Sequence, residues 1–189
     1  MPTPGFSHLD DRLVHQGHVW HVAVARFAAP GGEVFERDVV RSPGAVAAVP
    51  LLEGDDGEPQ VVMVRQYRPP LDEWVLEIPA GMRDVEGEPT ELTAARELEE
   101  EVGLRAGTMR HLLDFRPSPG MTDSTLYLFV ATDLTPVERN THGPEEAASE
   151  VVVLPLSRAV DMALSGEIED AKTIIGLLAV ERELRAGPM

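Results

Sequence analysis

Three carboxylates that a divalent cation could bind lie close together in the middle of the chain. Residues 96–104 read RELEEEVGL, and Glu100 and Glu101 follow Glu97 by three and four residues. Side chains at these spacings lie on one face of a helix. Carboxylate oxygens are ligands that Mg²⁺ prefers in proteins. The segment therefore predicts an acidic helix face that a metal-dependent hydrolase could use.

The residues around this segment predict the elements that position it. A strand-like run at 74–78 ends in Pro79-Ala80-Gly81, Pro89 and Thr90 are typical of a helix start, and Gly103 is typical of a helix end. An acidic run by itself is typical of a solvated surface. Here an apolar stripe is predicted to face the core and to leave the carboxylates together on another face; it consists of Leu92, Ala95, Leu98 and Val102.

These residues resemble the signature of the Nudix hydrolases. That signature reads Gly, five residues, Glu, seven residues, Arg-Glu, an aliphatic residue, any residue, Glu-Glu, any residue, Gly and an aliphatic residue. From Glu88 to Leu104 every position is in register, but six residues rather than five separate Gly81 from Glu88. The resemblance implies an α+β fold, the Nudix-type α/β/α sandwich with a mixed sheet, and hydrolysis of a phosphoanhydride.

The resemblance also implies a metal site and a general base. The implied cofactor is Mg²⁺, with Mn²⁺ as a substitute, and its ligands are Glu97, Glu101, the backbone carbonyl of Ala80 and, in addition, Glu100. Glu101 is also expected to act in catalysis. In this family branch the base lies on a loop before a late strand, which here is the acidic segment 141–147; we expect Glu145, then Glu146, in that role.

Residues outside the signature resemble the ADP-ribose pyrophosphatase branch, and the longer loop after Gly81 resembles its actinobacterial members. The resemblance is carried by Arg65–Pro70, by Leu76–Gly81, and by Pro119, which lies fifteen residues beyond Leu104. It implies conversion of ADP-ribose to AMP and ribose 5-phosphate. Two alternatives stay open: a Nudix hydrolase of another nucleoside diphosphate sugar or of an oxidised nucleotide, and a non-catalytic ADP-ribose sensor, against which the retained glutamates argue.

The branch also indicates substrate contacts and a partner. Arg68 matches its phosphate-contacting arginine, and Arg37 or Arg41 could add a second fork of donors from the N-terminal strands. Trp20 and Phe35 lie near positions where relatives stack adenine between aromatic rings. Such relatives are often homodimers with exchanged N-terminal strands, so we expect a homodimer that takes a small nucleoside diphosphate sugar.

Composition limits the classes of partner. The chain has 33 acidic and 16 basic residues, a net charge of −17, with no basic stripe, so long nucleic acid is not an expected ligand. A phosphorylated substrate would be repelled unless metal ions offset the charge locally, which predicts strict metal dependence. The absence of cysteine excludes disulfides and thiolate sites. With no membrane-span pattern and no features of a signal peptide at the start, we expect a cytoplasmic protein without membrane contact.

Turn chemistry and periodicity predict the organisation of the chain. We expect an N-terminal region, 1–42, with an antiparallel strand pair at 19–27 and 33–40, and a hydrolase domain, 43–189. The segment holding His15, His18 and His21 alternates like a strand, so these histidines are not expected to form a metal site. The domain is predicted to contain strands 45–52, 60–66, 109–115, 125–130 and 150–154, a solvated acidic turn at 53–58, and helices 156–165 and 169–185.

Overall fold

The computed structural model describes residues 5–55 and 57–187. Asp56, in the middle of the predicted acidic turn, lies outside the described residues, as do the first four and last two residues of the chain. The chain divides into two compact units. One runs to Gly44 and also takes in Arg116–Thr125, and the other comprises Ala45–Phe115 and the chain from Leu126 onward.

The N-terminal unit contains a three-stranded antiparallel sheet in the order β1-β2-β3. Its strands are β1 (Ser7–Gln16), β2 (His21–Ala28) and β3 (Val34–Arg41). The predicted pair corresponds to β2 and β3, whereas β1 was missed because all ten of its residues are exposed and no burial alternation marks it. The prediction of a continuous strand through the three histidines was wrong, because His18 lies in the bend between β1 and β2.

The second unit contains a seven-stranded mixed sheet in the order β12-β5-β4-β10-β9, with β6 paired to β5 and β7 paired to β4. The β4–β10 pair is parallel and the other pairs are antiparallel. The strands are β4 (Ala45–Glu53), β5 (Pro59–Arg68), β6 (Glu73–Glu77), β7 (Ala80–Met82), β8 (Leu104–Arg105), β9 (Thr108–Phe115), β10 (Leu126–Thr132), β11 (Thr135–Pro136) and β12 (Glu150–Pro155). The strands β8 and β11 form a separate two-stranded sheet.

Helices cover both faces of this sheet, as expected for an α/β/α sandwich. They are α1 (Thr90–Val102), the short α2 (Gly143–Ala147), α3 (Leu156–Ser165) and α4 (Ala171–Ala186). Alternate residues of β4 supply the two cores: Val46 and Ala48 pack with Leu98 of α1, whereas Ala47 and Val49 pack with Leu177 of α4. Within the described part of the chain, no helix is long and apolar enough to cross a bilayer.

The strand β4 changes its antiparallel partner along its length. Its C-terminal end, Leu51–Glu53, pairs with β5, and its N-terminal end, Ala45–Ala47, pairs with β7. Between these two pairings the backbone N–H of Ala48 donates to the carbonyl of Pro79 at 3.0 Å. The chain that enters β7 is therefore held beside β4, and α1 packs against both strands.

The predicted limits of α1 are confirmed, but its predicted apolar stripe is partly wrong. Pro89 precedes the helix, and Gly103 ends it in the left-handed conformation at φ 68°, which glycine adopts without strain. Leu92 is 58% exposed and Ala95 is half-buried. Leu98 and Val102 of the predicted stripe are buried. In place of Leu92 and Ala95, the neighbouring residues Thr93 and Ala94 are buried, and so is Glu101.

Candidate active site

The carboxylate of Glu97 occupies the space beside Gly81 that any other side chain would need. A Cβ atom at Gly81 would lie 2.0 Å from Cδ of Glu97 and 2.3 Å from each carboxylate oxygen. A side chain at this position would force the Glu97 carboxylate to move, so glycine lets that carboxylate lie directly against β7. This contact gives a physical reason for the first glycine of the signature.

Glu101 is the most deeply buried carboxylate of the site, with 4% of the residue exposed. The backbone N–H of Ala80 donates to its Oε2 at 2.9 Å. One turn of α1 therefore places Glu97 against Gly81 and Glu101 against Ala80, which brings both side chains to the same short strand. Contrary to the sequence prediction, Glu101 shares the buried face of α1 with Leu98.

Burial and like charge together favour the protonated forms of these two carboxyl groups. Burial raises the pKa of Glu97 to about 7, with the charges of Glu100 and Glu146 adding to the rise and that of Arg96 opposing it. Burial likewise raises the pKa of Glu101 to about 8; the hydrogen bond from Ala80 opposes this rise, and the charges of Glu97 and Glu146 add to it. A bound cation would relieve both costs.

Arg96 is the cation that holds the acidic face together. Its Nη1 lies 2.9 Å from Glu97 Oε1 and 3.0 Å from Glu100 Oε2. Its Nη2 lies 3.2 Å from Asp84 Oδ1 and 3.6 Å from Glu88 Oε2. Four carboxylates thus converge on one guanidinium, which orients Glu97 and Glu100 among the candidate metal ligands.

The same contacts explain how the longer loop after Gly81 is accommodated. The loop folds back through a turn in which the Glu88 N–H donates to the Val85 carbonyl at 3.2 Å. Gly87 occupies this turn at φ 79°, in the left-handed region that favours glycine. Asp84 and Glu88 both contact Arg96, so the six-residue loop is anchored to α1 on both sides of this turn.

The segment predicted as the acidic base loop is helical. Residues 143–147 form α2, which follows His142. The backbone N–H of His142 donates to Glu146 Oε2 at 2.6 Å, and His142 Nε2 lies 3.6 Å from Glu100 Oε1. Glu146 is near enough to raise the pKa of both Glu97 and Glu101, whereas a Glu145 oxygen lies 3.4 Å from the Cβ position of Gly143. Of the two candidate bases, the geometry favours Glu146.

The donor set fits a hard divalent cation, although it is not assembled as a ready metal cage. In the described ranges, no three His, Cys, Asp or Glu side chains are already placed around one metal position. Instead, Arg96 and the Ala80 N–H engage the carboxylates. Three carboxylates on one helix, two of them with raised pKa values, together with the Ala80 carbonyl, supply the oxygen chemistry that Mg²⁺ takes.

Arg68 lies at the end of β5 and is held by a residue that the sequence analysis missed. Its Nε and Nη2 donate to the two carboxylate oxygens of Glu77 at 2.6 and 2.7 Å. Glu77 is 2% exposed and also pairs with the buried Lys172 of α4. The signal for Glu77 was a lone charge inside the apolar strand WVLEI, and the signal for Lys172 was that it is the only lysine of the chain.

The other predicted substrate contacts lie in the N-terminal unit. Arg41 donates from Nε and Nη2 to Asp11 at 2.8 and 2.9 Å and from Nη1 to Asp123 at 3.1 Å. Arg37 lies over the ring of Phe35 at 4.9 Å. Both arginines line a cavity of about 470 Å³ together with Pro119. All three guanidinium nitrogens of Arg41 donate to Asp11 or Asp123. Arg37 is therefore the better placed of the two arginines to bind an anion.

The two predicted adenine-stacking residues lie at opposite ends of the N-terminal sheet. Phe35 stacks on Phe27 at 5.6 Å. Trp20 is 44% exposed and precedes His21, which pairs with Arg41, six positions along β3 from Phe35. At a rise of about 3.3 Å per residue, these positions are about 20 Å apart. One adenine cannot contact both rings within a single chain.

Comparison with known proteins agrees with this fold. The NUDIX domain model matches residues 42–175. An ADP-ribose pyrophosphatase of Mycobacterium tuberculosis is 38% identical over 180 residues, which cover 95% of this chain and 85% of that protein. A CMP-5'-(N-acetyl-N-hydroxy-3-aminopropyl)phosphonate hydrolase of Streptomyces rubellomurinus is 38% identical over 172 residues, covering 90% of this chain and 79% of that protein.

A solved structure titled as an ADP compounds hydrolase matches the fold with a TM-score of 0.81 at 23% identity, covering 98% of this chain and 97% of that one. That structure shares the fold, and the match of the NUDIX domain model over residues 42–175 shows that the chain belongs to the NUDIX domain family. It is an enzyme, a Nudix pyrophosphohydrolase.

Proposed function

We propose that this enzyme hydrolyses the diphosphate bond of ADP-ribose, converting ADP-ribose and water to AMP and ribose 5-phosphate with Mg²⁺ as its cofactor and Mn²⁺ as a substitute. The observation that carries the proposed reaction is the pair of buried carboxylates, Glu97 and Glu101, held against β7 with raised pKa values. The choice of ADP-ribose is supported by the similarity to the mycobacterial ADP-ribose pyrophosphatase over 95% of the chain.

Glu97, Glu101 and the carbonyl of Ala80 are the proposed metal ligands, with Glu100 as an additional one. When bound, Mg²⁺ neutralises charge on the diphosphate oxygens and lowers the pKa of an attacking water. The two carboxylates favour such a cation because it offsets the repulsion that otherwise favours protonation. Arg96, which contacts both Glu97 and Glu100, would orient them toward the substrate side of α1.

Glu146 is the proposed general base, ahead of Glu145. It lies near Glu97 and Glu101, as its effect on their pKa values indicates, and the His142 N–H fixes its carboxylate. A base must reach within about 3 Å of the proton it removes, directly or through one water. Placement on a short helix gives Glu146 a defined orientation for this step.

Arg68 is proposed to bind the diphosphate. Glu77 takes its Nε and Nη2, so Nη1 lies outside that pair, and 37% of the side chain is exposed. The positive charge of Arg68 also opposes the rise in the pKa of Glu101 that burial causes, which supports a role for Arg68 beside the proposed metal ligands. Arg37, at the cavity of the N-terminal unit, is the second proposed anion contact.

We further propose a homodimer with exchanged N-terminal strands, in a cytoplasmic protein. The exposed apolar side chains of β1 support the dimer, since a monomer would leave them in water; they include Leu9, Leu13 and Val14. The separation of Trp20 and Phe35 supports it too, because two chains could bring one residue of each kind to the same adenine.

A substrate panel with product identification tests the proposal. Purified protein would be incubated with Mg²⁺ and ADP-ribose, other nucleoside diphosphate sugars, oxidised nucleoside triphosphates and cytidine nucleotides, the last because of the Streptomyces relative. AMP and ribose 5-phosphate, formed fastest from ADP-ribose, are the expected products. Faster turnover of another nucleotide would show that ADP-ribose is not the preferred substrate. Binding of ADP-ribose without turnover would support the sensor alternative.

A further inference from the structure

Lys172 lies in the first turn of α4 and is 9% exposed. It forms ion pairs with Glu77 of β6 and, at 3.0 Å, with Asp170, whose carboxylate caps α4 by accepting from the Thr173 N–H at 3.0 Å. It is the only lysine among the 189 residues, which include fifteen arginines. A compact ammonium suits this site, because it can approach two carboxylates in a space that a planar guanidinium would fill.

The ion pairs form a chain that leads from α4 to Arg68. Glu77 Oε2 accepts from Lys172 and also from Arg68 Nη2 at 2.7 Å, while Oε1 accepts from Arg68 Nε at 2.6 Å. Burial alone would raise the pKa of Glu77, but hydrogen bonds from Arg68 and the charges of Lys172 and Arg68 outweigh it, so the pKa lies below its ordinary value. Glu77 is therefore ionised and fixed between two cations.

The same two elements are joined by a second contact, so the position of Glu77 is determined from both sides. The backbone N–H of Ile78, the next residue of the chain, donates to Thr173 Oγ1 at 2.9 Å. Lys172 and Thr173 thus hold adjacent residues at the end of β6. Arg68, Glu77 and Lys172 line one cavity of about 430 Å³, so the fixed guanidinium faces open space.

We propose that Lys172 is a positioning residue for substrate binding: by fixing Glu77 it holds the bidentate Glu77–Arg68 pair in the orientation that leaves Arg68 Nη1 for a diphosphate oxygen. This inference rests on the proposed function. Without Lys172, Glu77 still binds Arg68, but the pair loses its anchor on α4 and the guanidinium can rotate with it. The consequence is weaker diphosphate binding, with the chemical step intact.

The test compares Lys172→Met, Lys172→Arg and Arg68→Met, singly and as the Lys172→Met/Arg68→Met double variant. In ADP-ribose hydrolysis, Lys172→Met should raise KM about tenfold, the value of one charge-assisted hydrogen bond, and change kcat by less than about twofold. Lys172→Arg should recover part of the loss. In the Arg68→Met background, Lys172→Met should have no further effect on KM. Arg110→Met, which breaks the exposed pair with Glu183, is the matched control.

Calorimetric titration in Mg²⁺ with a non-hydrolysable ADP-ribose analogue, in which a methylene group replaces the bridging diphosphate oxygen, gives the same comparison as Kd and separates this inference from the proposed function. If the wild type binds ADP-ribose but forms no AMP with Mg²⁺, the proposed function fails, and the Kd values still test Lys172. An unchanged KM and Kd in Lys172→Met, or an equal rise in the Arg68→Met background, would overturn the inference. If Lys172→Met does not fold, Lys172→Ala, which also removes the donor to Glu77 and is a good helix former, replaces it with the same criteria.

Discussion

Gly81 and Glu97 are in such close contact that the carboxylate carbon of Glu97 lies 2.0 Å from the position a Cβ of residue 81 would occupy. The contact joins the strand that carries one proposed metal ligand to the helix that carries the others. The absence of a side chain at residue 81 therefore determines where the Glu97 carboxylate can lie against β7.

Gly81→Ala should displace the Glu97 carboxylate from β7. We expect the rate of ADP-ribose hydrolysis to fall by about 100-fold, as for a misplacement near 1 Å in an active site. Steady-state kinetics with Mg²⁺ would measure it. Gly31→Ala is the matched control, because a Cβ at Gly31 meets no atom within 4 Å; equal activity of the two variants would contradict the proposed role of the contact.

Glu101→Gln should abolish most of the activity and leave the metal-free protein folded. The change removes a proposed ligand charge but keeps the shape of a side chain whose pKa burial already raises to about 8. Thermal denaturation should show that Mg²⁺ raises the Tm of the wild type and raises that of the variant much less, since a ligand stabilises only the state that binds it. Near wild-type turnover would show that Glu101 is not a metal ligand.

Glu146→Gln should lower kcat by about 100-fold or more, the usual contribution of a general base. Glu145→Gln, the adjacent control, should change kcat by less than about threefold, since loss of a base is what lowers the chemical step. Rates at saturating ADP-ribose, measured for both variants at one Mg²⁺ concentration, distinguish the two residues. A larger loss of kcat in Glu145→Gln than in Glu146→Gln would support Glu145, the residue that the sequence favoured first.

Asp11 should make the N-terminal unit sensitive to acid. Hydrogen bonds from Arg41 and His8 lower the pKa of Asp11 from 3.8 to about 2. A carboxyl group whose pKa is lower in the folded state stabilises that state above its unfolded pKa, and this contribution is lost as pH falls from about 4 to about 2.

The contribution is small, no more than about 1 kcal/mol, because the pair is partly exposed. Urea unfolding of the wild type and of Asp11→Asn would measure it: the difference in unfolding free energy should be present at pH 5 and should vanish near pH 2. Asp10→Asn, which removes the carboxylate charge from a single pair in which Arg26 donates to Asp10, is the control. A difference that persists at pH 2 would exclude ionisation of Asp11 as its cause.

The sequence by itself determined the limits of α1, most of the strands and the set of acidic residues at the site. These features have local causes: Pro89 and Gly103 start and end the helix, continuous apolar or β-branched runs mark β4 and β5, and spacings of three and four place Glu97, Glu100 and Glu101 on one helix face. The family resemblance is carried by the same local pattern, which is why it could be identified from the sequence.

Only the tertiary structure decided which of these side chains are buried and what they contact. The burial of Glu101, the exposure of Leu92 and the missed strand β1 depend on what packs against each residue, which no local pattern specifies. The pairing of Glu77 with Lys172 joins residues 95 positions apart, and the proposal of Glu146 as the base rests on a charge that only the fold brings near Glu97 and Glu101. Long-range packing brings these charged groups together and removes them from water. In the less polar interior, the distance between two charges has a larger effect on their interaction energy.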